Sequence, residues 1–356
     1  MAIIESVATA LPKHPVSQDQ IASLVRGVFK DKYSDIDRLL RVFNNGDIEE
    51  RQFVMPLEWY QQPHSFGDKN NEFIERAVEL GAEAVTNCLH KAEVRSDEVD
   101  AFICVTSTGI ATPTLDARIM NRLNMNMHTK RIPIWGLGCA GGAAGLSRGF
   151  EYCRAFPNAR VLVLCIELCS LTFQTGDVSK SNLVGTSLFS DGVACALLHG
   201  TDVSSKQKFM PVITDTQSTL MPDSERVMGW DVEDDGLHVV FSRDIPTIVS
   251  SWLDDNVIHF LNSIGKSKDD ITHFIAHPGG KKVLTAYEDA LKLPDGKTNP
   301  ARDVLRAHGN MSSPTVLYVL KSILEGNTAP LDEGIITALG PGFSSELLWV
   351  EWSEHA

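Results

Sequence analysis

Cys139, His277 and Asn310 are residues whose types and settings could do chemistry together, each on a turn marked by glycine. Cys139 stands in Ile134-Trp-Gly-Leu-Gly-Cys-Ala-Gly-Gly-Ala-Ala-Gly145, a run of small residues across a predicted strand-to-helix junction. A thiol there faces the unpaired N–H groups and positive dipole end of a helix. Both favour the thiolate, the form that attacks carbonyl carbon. Gly136, Gly138, Gly141 and Gly142 would let a substrate approach the backbone. His277 lies in Ala276-His-Pro-Gly-Gly280 and Asn310 in His308-Gly-Asn-Met-Ser312. A thiolate paired with an imidazolium takes an acyl group from a thioester. Decarboxylating a malonyl thioester needs donors aimed at the thioester oxygen, where enolate charge develops; an Asn NH2 and a His N–H can supply them. A carboxylate in place of Asn310 would repel the enolate. The set points to carbon–carbon bond formation from thioesters, a logic unlike that of a Cys-His hydrolase, where Asn only orients the His.

Each residue also has a purely structural reading. Cys139 could be a small buried thiol, His277 a hydrogen-bonded strand end, and Asn310 the N-cap of a following helix. Ser312 or Ser313 can cap that helix, expected over 313–324, which frees Asn310 for a site. Gly136-Leu-Gly-Cys-Ala-Gly141 fits a dinucleotide fingerprint. That motif wants an acid about 20 residues on, and Glu167, which closes a strand, lies further away. The nucleophile reading therefore ranks above the nucleotide one. His273 and His277 do not form a metal pair at that spacing on a strand, and no His/Cys/Asp cluster has zinc spacing. Cys165 and Cys169 read as core packing.

The elements that must hold these turns are those of a layered α/β protein. Ser17-Gln-Asp-Gln20 is a capping-box pattern that opens a helix with Ile21, Leu24, Val25 and Val28 on one side. Ile74, Ala77, Val78, Gly81, Val85 and Cys88 recur at helical spacing. Strands are expected at 101–106, 131–135, 161–166, 192–198, 272–276, 334–339 and 346–352. The third is apolar at every position, as in a strand buried on both faces. Helices alternate with such strands in both halves. The polar stretch 200–208 is the best internal boundary, dividing 1–200, with the Cys, from 201–356, with the His and Asn. Of the 356 residues, 43% are hydrophobic, enough for a large core. A formal charge of −14 argues against general affinity for nucleic acid or anionic membrane. No run reaches transmembrane length, and no signal peptide is expected from Met1-Ala-Ile-Ile-Glu. Seven cysteines, several in apolar runs, read as reduced residues of a cytoplasmic protein.

The whole length resembles the type III polyketide synthases, the chalcone synthase-like branch of the thiolase fold. The runs that carry the resemblance are Trp135-Gly-Leu-Gly-Cys-Ala-Gly-Gly142, Glu167-Leu-Cys-Ser-Leu-Thr-Phe173, Ser187-Leu-Phe-Ser-Asp-Gly192, Ser242-Arg-Asp-Ile-Pro246, Ala276-His-Pro-Gly-Gly280, His308-Gly-Asn-Met-Ser312 and Gly340-Pro-Gly-Phe343. It implies a five-layer αβαβα fold of two similar halves, a homodimer, CoA thioesters as substrates and no cofactor. It makes Cys139 the acyl-carrying nucleophile. His277 maintains the thiolate and helps polarise the thioester, and Asn310 is its partner in decarboxylation. Phe189 matches a gatekeeper between CoA tunnel and cavity, Gly340 belongs to the loop shaping the cavity floor, and Ser312 joins the substrate-contacting set. Arg38 and Arg41 fall near the positions that meet CoA phosphates; a solvated helix face is their alternative.

Departures from the pattern set the specificity expected. Val239 aligns with a second gatekeeper phenylalanine. Thr112 stands where plant members have a methionine reaching into the neighbouring subunit, and Cys169 where they often have threonine. Less bulk at Val239 and Thr112 implies a cavity shaped unlike a flavonoid-type pocket. The pattern is similar to bacterial alkylpyrone synthases, which take fatty acyl-CoA starters and malonyl-CoA. Phe-Ser-Asp-Gly192 replaces the usual Phe-Gly-Asp-Gly, so Ser190 is a local departure. Alternatives are an alkylresorcinol-forming synthase, a ketoacyl synthase III-like enzyme, a Cys-His-Asn hydrolase and a non-catalytic thiolase-fold binder.

Overall fold

Val161–Ile166 is apolar throughout because helices cover both faces of the strand it forms. The computed structural model describes residues 1–30, 32, 35–205 and 209–354. The first part of the chain runs β1 (Ala2–Ala10), β2 (His14–Ser17), α1 (Gln18–Phe29), α2 (Ile36–Leu39), α3 (Arg41–Asn44), β3 (Glu50–Phe53) and α4 (Phe66–Ala92). It continues β4 (Ala101–Thr106), α5 (Leu115–Arg122), β5 (Lys130–Trp135), α6 (Gly141–Ala155), β6 (Arg160–Leu168), α7 (Lys180–Leu188) and β7 (Asp191–His199). The second part runs β8 (Phe209–Leu220), β9 (Met228–Glu233), β10 (Gly236–Phe241), α8 (Ile245–Ser263), β11 (His273–Ala276) and α9 (Lys281–Leu291). It ends α10 (Asn299–His308), α11 (Thr315–Leu324), β12 (Glu333–Gly340) and β13 (Ser344–Glu354). The expected boundary 200–208 falls between β7 and β8, with Lys206, Gln207 and Lys208 outside the described residues.

The strand order β11-β12-β13-β8-β1-β7-β6-β4-β5 repeats one pattern twice. β4 and β6 are parallel, while β6–β7 and β7–β1 are antiparallel. Likewise β11 and β12 are parallel, while β12–β13 and β13–β8 are antiparallel. The equivalent strands β1 and β8 join the halves through a short antiparallel pairing, Ala2 with Ile213 and Ile3 with Val212. This repeated strand pattern makes visible the two similar halves that sequence self-similarity is too weak to reveal.

α6 and α11 form the central layer, each touching strands of both halves. α4 and α5 cover the outer face of the first half-sheet. α8 and α9 pack on one another and share a core cluster with the second half-sheet. The result is the five-layer αβαβα thiolase fold. α6 can sit between two sheets because its first turns are nearly all small: a Cβ on Gly142 would stand 2.2 Å from the Ser313 carbonyl oxygen.

Local signals hold where backbone chemistry decides them. Ser17 and Gln20 form the reciprocal capping box of α1. The expected cap of α11 does not hold. Pro314 occupies the N-cap position, and Thr315 Oγ1 accepts from the Met311 N–H and donates to the Ser312 carbonyl, so neither Ser312 nor Ser313 caps this helix.

Candidate active site

Cys139 occupies a single 3-10 turn, Gly138–Ala140, wedged between β5 and α6. Gly136 (φ 92°) and Gly138 (φ 47°) take left-handed conformations that allow the sharp reversal. The Gly138 N–H donates to Ser107 Oγ at 2.9 Å. Gly340 backs the turn: a Cβ there would stand 2.5 Å from the Leu137 carbonyl and 2.6 Å from Ala140 Cβ.

His277 follows the last residue of β11, its N–H bonded to the Thr337 carbonyl at 2.8 Å. Asn310 follows α10 after Gly309 (φ 69°). Its side chain joins the other two turns. Oδ1 accepts from the Ser312 N–H at 2.8 Å and Nδ2 donates to the Gly279 carbonyl at 3.2 Å. Cys139 Sγ lies 3.9 Å from Oδ1 and 4.0 Å from Nδ2. The three residues thus come from three separate turns, and Asn310 links the other two.

All three are buried. Burial pushes the Cys139 thiol up to about 11; hydrogen bonds from Ser312 and Asn310 oppose it, and the Glu167 charge adds to it. Burial alone lowers His277 to about 3, and neither ring nitrogen has a hydrogen-bond partner among the described residues. Desolvation opposes the thiolate favoured by the helix end, and both shifts favour the neutral thiol and neutral imidazole over the charged pair.

Sequence reasoning weighed Glu167 as the acid of a dinucleotide fingerprint and as the start of a run that carries the family resemblance, without a role at this site. It is fully buried and accepts from the Ser107 N–H (2.9 Å), Thr108 Oγ1 (2.8 Å) and Ser313 Oγ (2.8 Å). Burial raises it to about 7, offset by these donors. Through Ser107 and Ser313 it ties the Cys139 turn to the Asn310 loop. Its oxygens are committed to internal donors, which removes it as a dinucleotide acid. The visible signal was a carboxylate closing a strand buried on both faces.

A small pocket of about 30 Å³ is lined by Cys169, Phe189 and Val239 together with Ile21, Leu24 and Trp230, with Ser170, Thr172 and Asn182 among its polar members. None of the three central residues lines it, and Phe189, bridged to Asn310, connects the two. Val239 pairs with Trp230 across β9 and β10. Phe189 packs against Trp230 (5.9 Å between ring centroids) and Phe241 (5.6 Å). Bulk missing at Val239 is thus partly returned by Trp230, which the sequence did not reveal because hairpin pairing alone brings it to Phe189.

Two family models cover the chain: "Chalcone and stilbene synthases, N-terminal domain" over residues 1–203 and the corresponding C-terminal domain over 212–351. The chain belongs to the chalcone and stilbene synthase family. It is 52% identical to a putative chalcone synthase of Bacillus subtilis, over 100% of both chains. It is 36% identical to a 1,3,6,8-tetrahydroxynaphthalene synthase of Streptomyces peucetius, covering 98% of this chain and 93% of that one. The crystal structure of the 1,3,6,8-tetrahydroxynaphthalene synthase of Streptomyces coelicolor, a bacterial type III polyketide synthase, superposes with a TM-score of 0.93 at 26% identity, over 99% of each chain. The protein is a type III polyketide synthase, an acyltransferase.

Other candidates in this synthase lie elsewhere. Thr112 is exposed on the loop before α5 and does not line the pocket. Arg38 and Arg41 are exposed on α2 and α3. Arg38 pairs with Asp35 at 3.6 Å, and Arg41 has no ion-pair partner among the described residues. Ser312 (φ 58°), by contrast, stays at the centre: its N–H donates to Asn310 Oδ1, and it acts to lower the pKa of the Cys139 thiol. The hairpin also gathers Glu233, Asp235 and His238, with ligand atoms within 4.8 Å of one another, although sequence spacing showed no such group. It is solvent-facing, and His238 already bonds Asp235 at 2.7 Å.

Proposed function

We propose that the synthase loads a long-chain fatty acyl-CoA onto Cys139, extends it with malonyl-CoA and releases an alkyl-α-pyrone. The observation that carries this reading is the meeting of Cys139, His277 and Asn310. The neighbouring pocket lined by Cys169, Phe189 and Val239 holds only about 30 Å³ and has to widen, by movement of Phe189 and Trp230, to admit an alkyl chain. An apolar pocket stabilises an alkyl chain by removing it from water. A relative 28% identical over 97% of the chain, from Mycobacterium tuberculosis, is an alpha-pyrone synthesis polyketide synthase-like protein.

His277 takes the Cys139 proton as Sγ attacks the starter thioester, and CoA leaves with a proton. Its free ring nitrogens suit it to receive one and then to donate. Malonyl-CoA enters next. Asn310 Nδ2 and the His277 N–H hold the thioester oxygen while the carboxylate leaves as CO2 and the electron pair becomes an enolate. The enolate carbon attacks the acyl-Cys139 carbonyl, freeing the sulfur, and the longer chain returns from CoA to Cys139. After a few rounds an enol oxygen attacks the thioester carbonyl and expels the sulfur, which takes up the enol proton as the thiol, closing the lactone. No step calls for a metal, flavin or nicotinamide. Arg38 and Arg41 meet the CoA phosphates, and Gly340 shapes the cavity floor. We place the division of the chain at residue 200, the enzyme in the cytoplasm, and Thr112 at the contact of a homodimer.

The relatives that make tetrahydroxynaphthalene support a second reading, in which the same triad acts with a different starter. Incubating the enzyme with labelled malonyl-CoA, with and without acyl-CoA starters, separates the two. Pyrones that carry the added alkyl chain support the proposal; a full-length product without added starter supports the other.

A further inference from the structure

β3, Glu50-Arg-Gln-Phe53, is mostly charged and polar, yet Arg51 and Gln52 are buried. Three successive residues after α7 are fastened to this strand and to Val54 just beyond it. Arg51 Nη1 donates to the Phe189 carbonyl at 2.7 Å and the Thr186 carbonyl at 2.5 Å. Ser190 Oγ accepts from the Gln52 N–H at 3.0 Å and donates to the Gln52 carbonyl at 3.2 Å. Asp191 accepts from the Val54 N–H at 2.7 Å and from the Ser170 N–H at 2.7 Å. Ser190, the departure from the usual Phe-Gly-Asp-Gly, is fully buried, and its hydroxyl spends both donor and acceptor on one backbone residue.

The fastened segment carries Asn310. The Ser190 N–H donates to the Asn310 carbonyl and the Asn310 N–H to the Leu188 carbonyl, both at 2.9 Å, as a parallel bridge. Arg51 also backs Gly309: a Cβ there would stand 2.8 Å from Arg51 Cγ. Cys139 is anchored through other residues, Ser107 and the Gly340 loop. Glu167 reaches Ser313, beyond Asn310, and does not fix the backbone of residue 310 itself. The position of the Asn310 amide against the Cys139 sulfur is therefore set on one side by β3.

We propose that Arg51 and Ser190 are positioning residues that fix Asn310 against Cys139 and so govern malonyl decarboxylation rather than starter loading. The proposal rests on the roles given above to Cys139 and Asn310. A small misplacement of a positioned group costs rate steeply, and here it falls on the step that uses the amide.

The two half-reactions can be read separately. Loading is followed as CoA released from the starter without malonyl-CoA, and decarboxylation as labelled CO2 from malonyl-CoA. Wild type, Ser190→Ala, Ser190→Gly and Asn310→Ala are compared, with thermal unfolding measured for each. For Ser190→Ala the CO2 kcat falls roughly tenfold, and for Ser190→Gly, which restores the usual family motif, it falls less, while loading and the KM for malonyl-CoA stay within about twofold in both. Should they unfold, Arg51→Lys carries the same expectation. Unchanged CO2 release, or equal falls in both half-reactions, overturns the positioning role. Wild-type CO2 release by Asn310→Ala would instead remove the role of Asn310, and the proposal with it.

Discussion

The Asn310 side chain stands within 4.0 Å of Cys139 Sγ through both its oxygen and its nitrogen, while its nitrogen donates to Gly279 in the His277 turn. One amide thus touches the nucleophile and the segment that carries the base. It is neutral, which lets it sit against a thiol, a thioester oxygen or an enolate in turn.

Replacing Asn310 by Ala removes the donor for the enolate oxygen, and Asp adds a repelling charge. CO2 release from malonyl-CoA should fall about 100-fold or more in Asn310→Ala, and further in Asn310→Asp. Trapping of the acyl group on Cys139, read by intact-protein mass spectrometry, should persist in the Ala variant.

Cys139, held up at about 11, and His277, held down at about 3, are both neutral between those values. Below the thiol value the thiolate fraction grows with pH. Alkylation of Cys139 by iodoacetamide should therefore climb roughly tenfold per pH unit from 6 to 9. A preformed thiolate–imidazolium pair would give a flat profile over that range.

The lowered His277 value also links to stability. An imidazole with an ordinary value near 6.5 when unfolded and a depressed one when folded contributes stability above 6.5 that is lost as pH falls towards 3. Denaturant titrations should show wild type losing up to about 1.4 kcal/mol per unit below pH 6.5 relative to His277→Asn. Parallel curves for the two proteins would contradict the neutral buried imidazole.

Val239 Cγ1 lies 3.2 Å from where a Cβ on Gly185 would stand, so this wall is tight. Val239→Phe should exclude long chains: kcat/KM for long-chain acyl-CoA falls at least about tenfold, and that for short starters changes little. An acyl-CoA ladder checks it.

Arg41, without an ion-pair partner among the described residues, is better placed than Arg38 to meet a phosphate. Arg41→Ala should raise the KM for CoA thioesters about threefold with kcat unchanged, and Arg38→Ala less. Titrating the KM against salt checks that the effect is electrostatic.

The layered fold was legible because strands such as β6 and β7 are buried on both faces and show it as unbroken apolar runs. Cys139 and Asn310 were legible because their turns need glycines, Gly136, Gly138 and Gly309 being left-handed, and His277 because Pro-Gly-Gly follows it at a strand end. Other features arise only from tertiary pairing. β3 is hidden by its charged sequence, since Arg51 is buried by carbonyls from α7 and Phe189. Trp230 reaches the gate only through the β9–β10 hairpin. The helix end that favours a Cys139 thiolate is visible in sequence, whereas the depth of burial that opposes it is not.

The central claim is tested most directly by mass spectrometry of products from labelled malonyl-CoA and a ladder of acyl-CoA starters, with wild type beside Cys139→Ala. The account predicts alkyl-α-pyrones from long-chain starters, carrying malonyl label, and none from the variant. Free acid alone, or the same pyrones from Cys139→Ala, would contradict it.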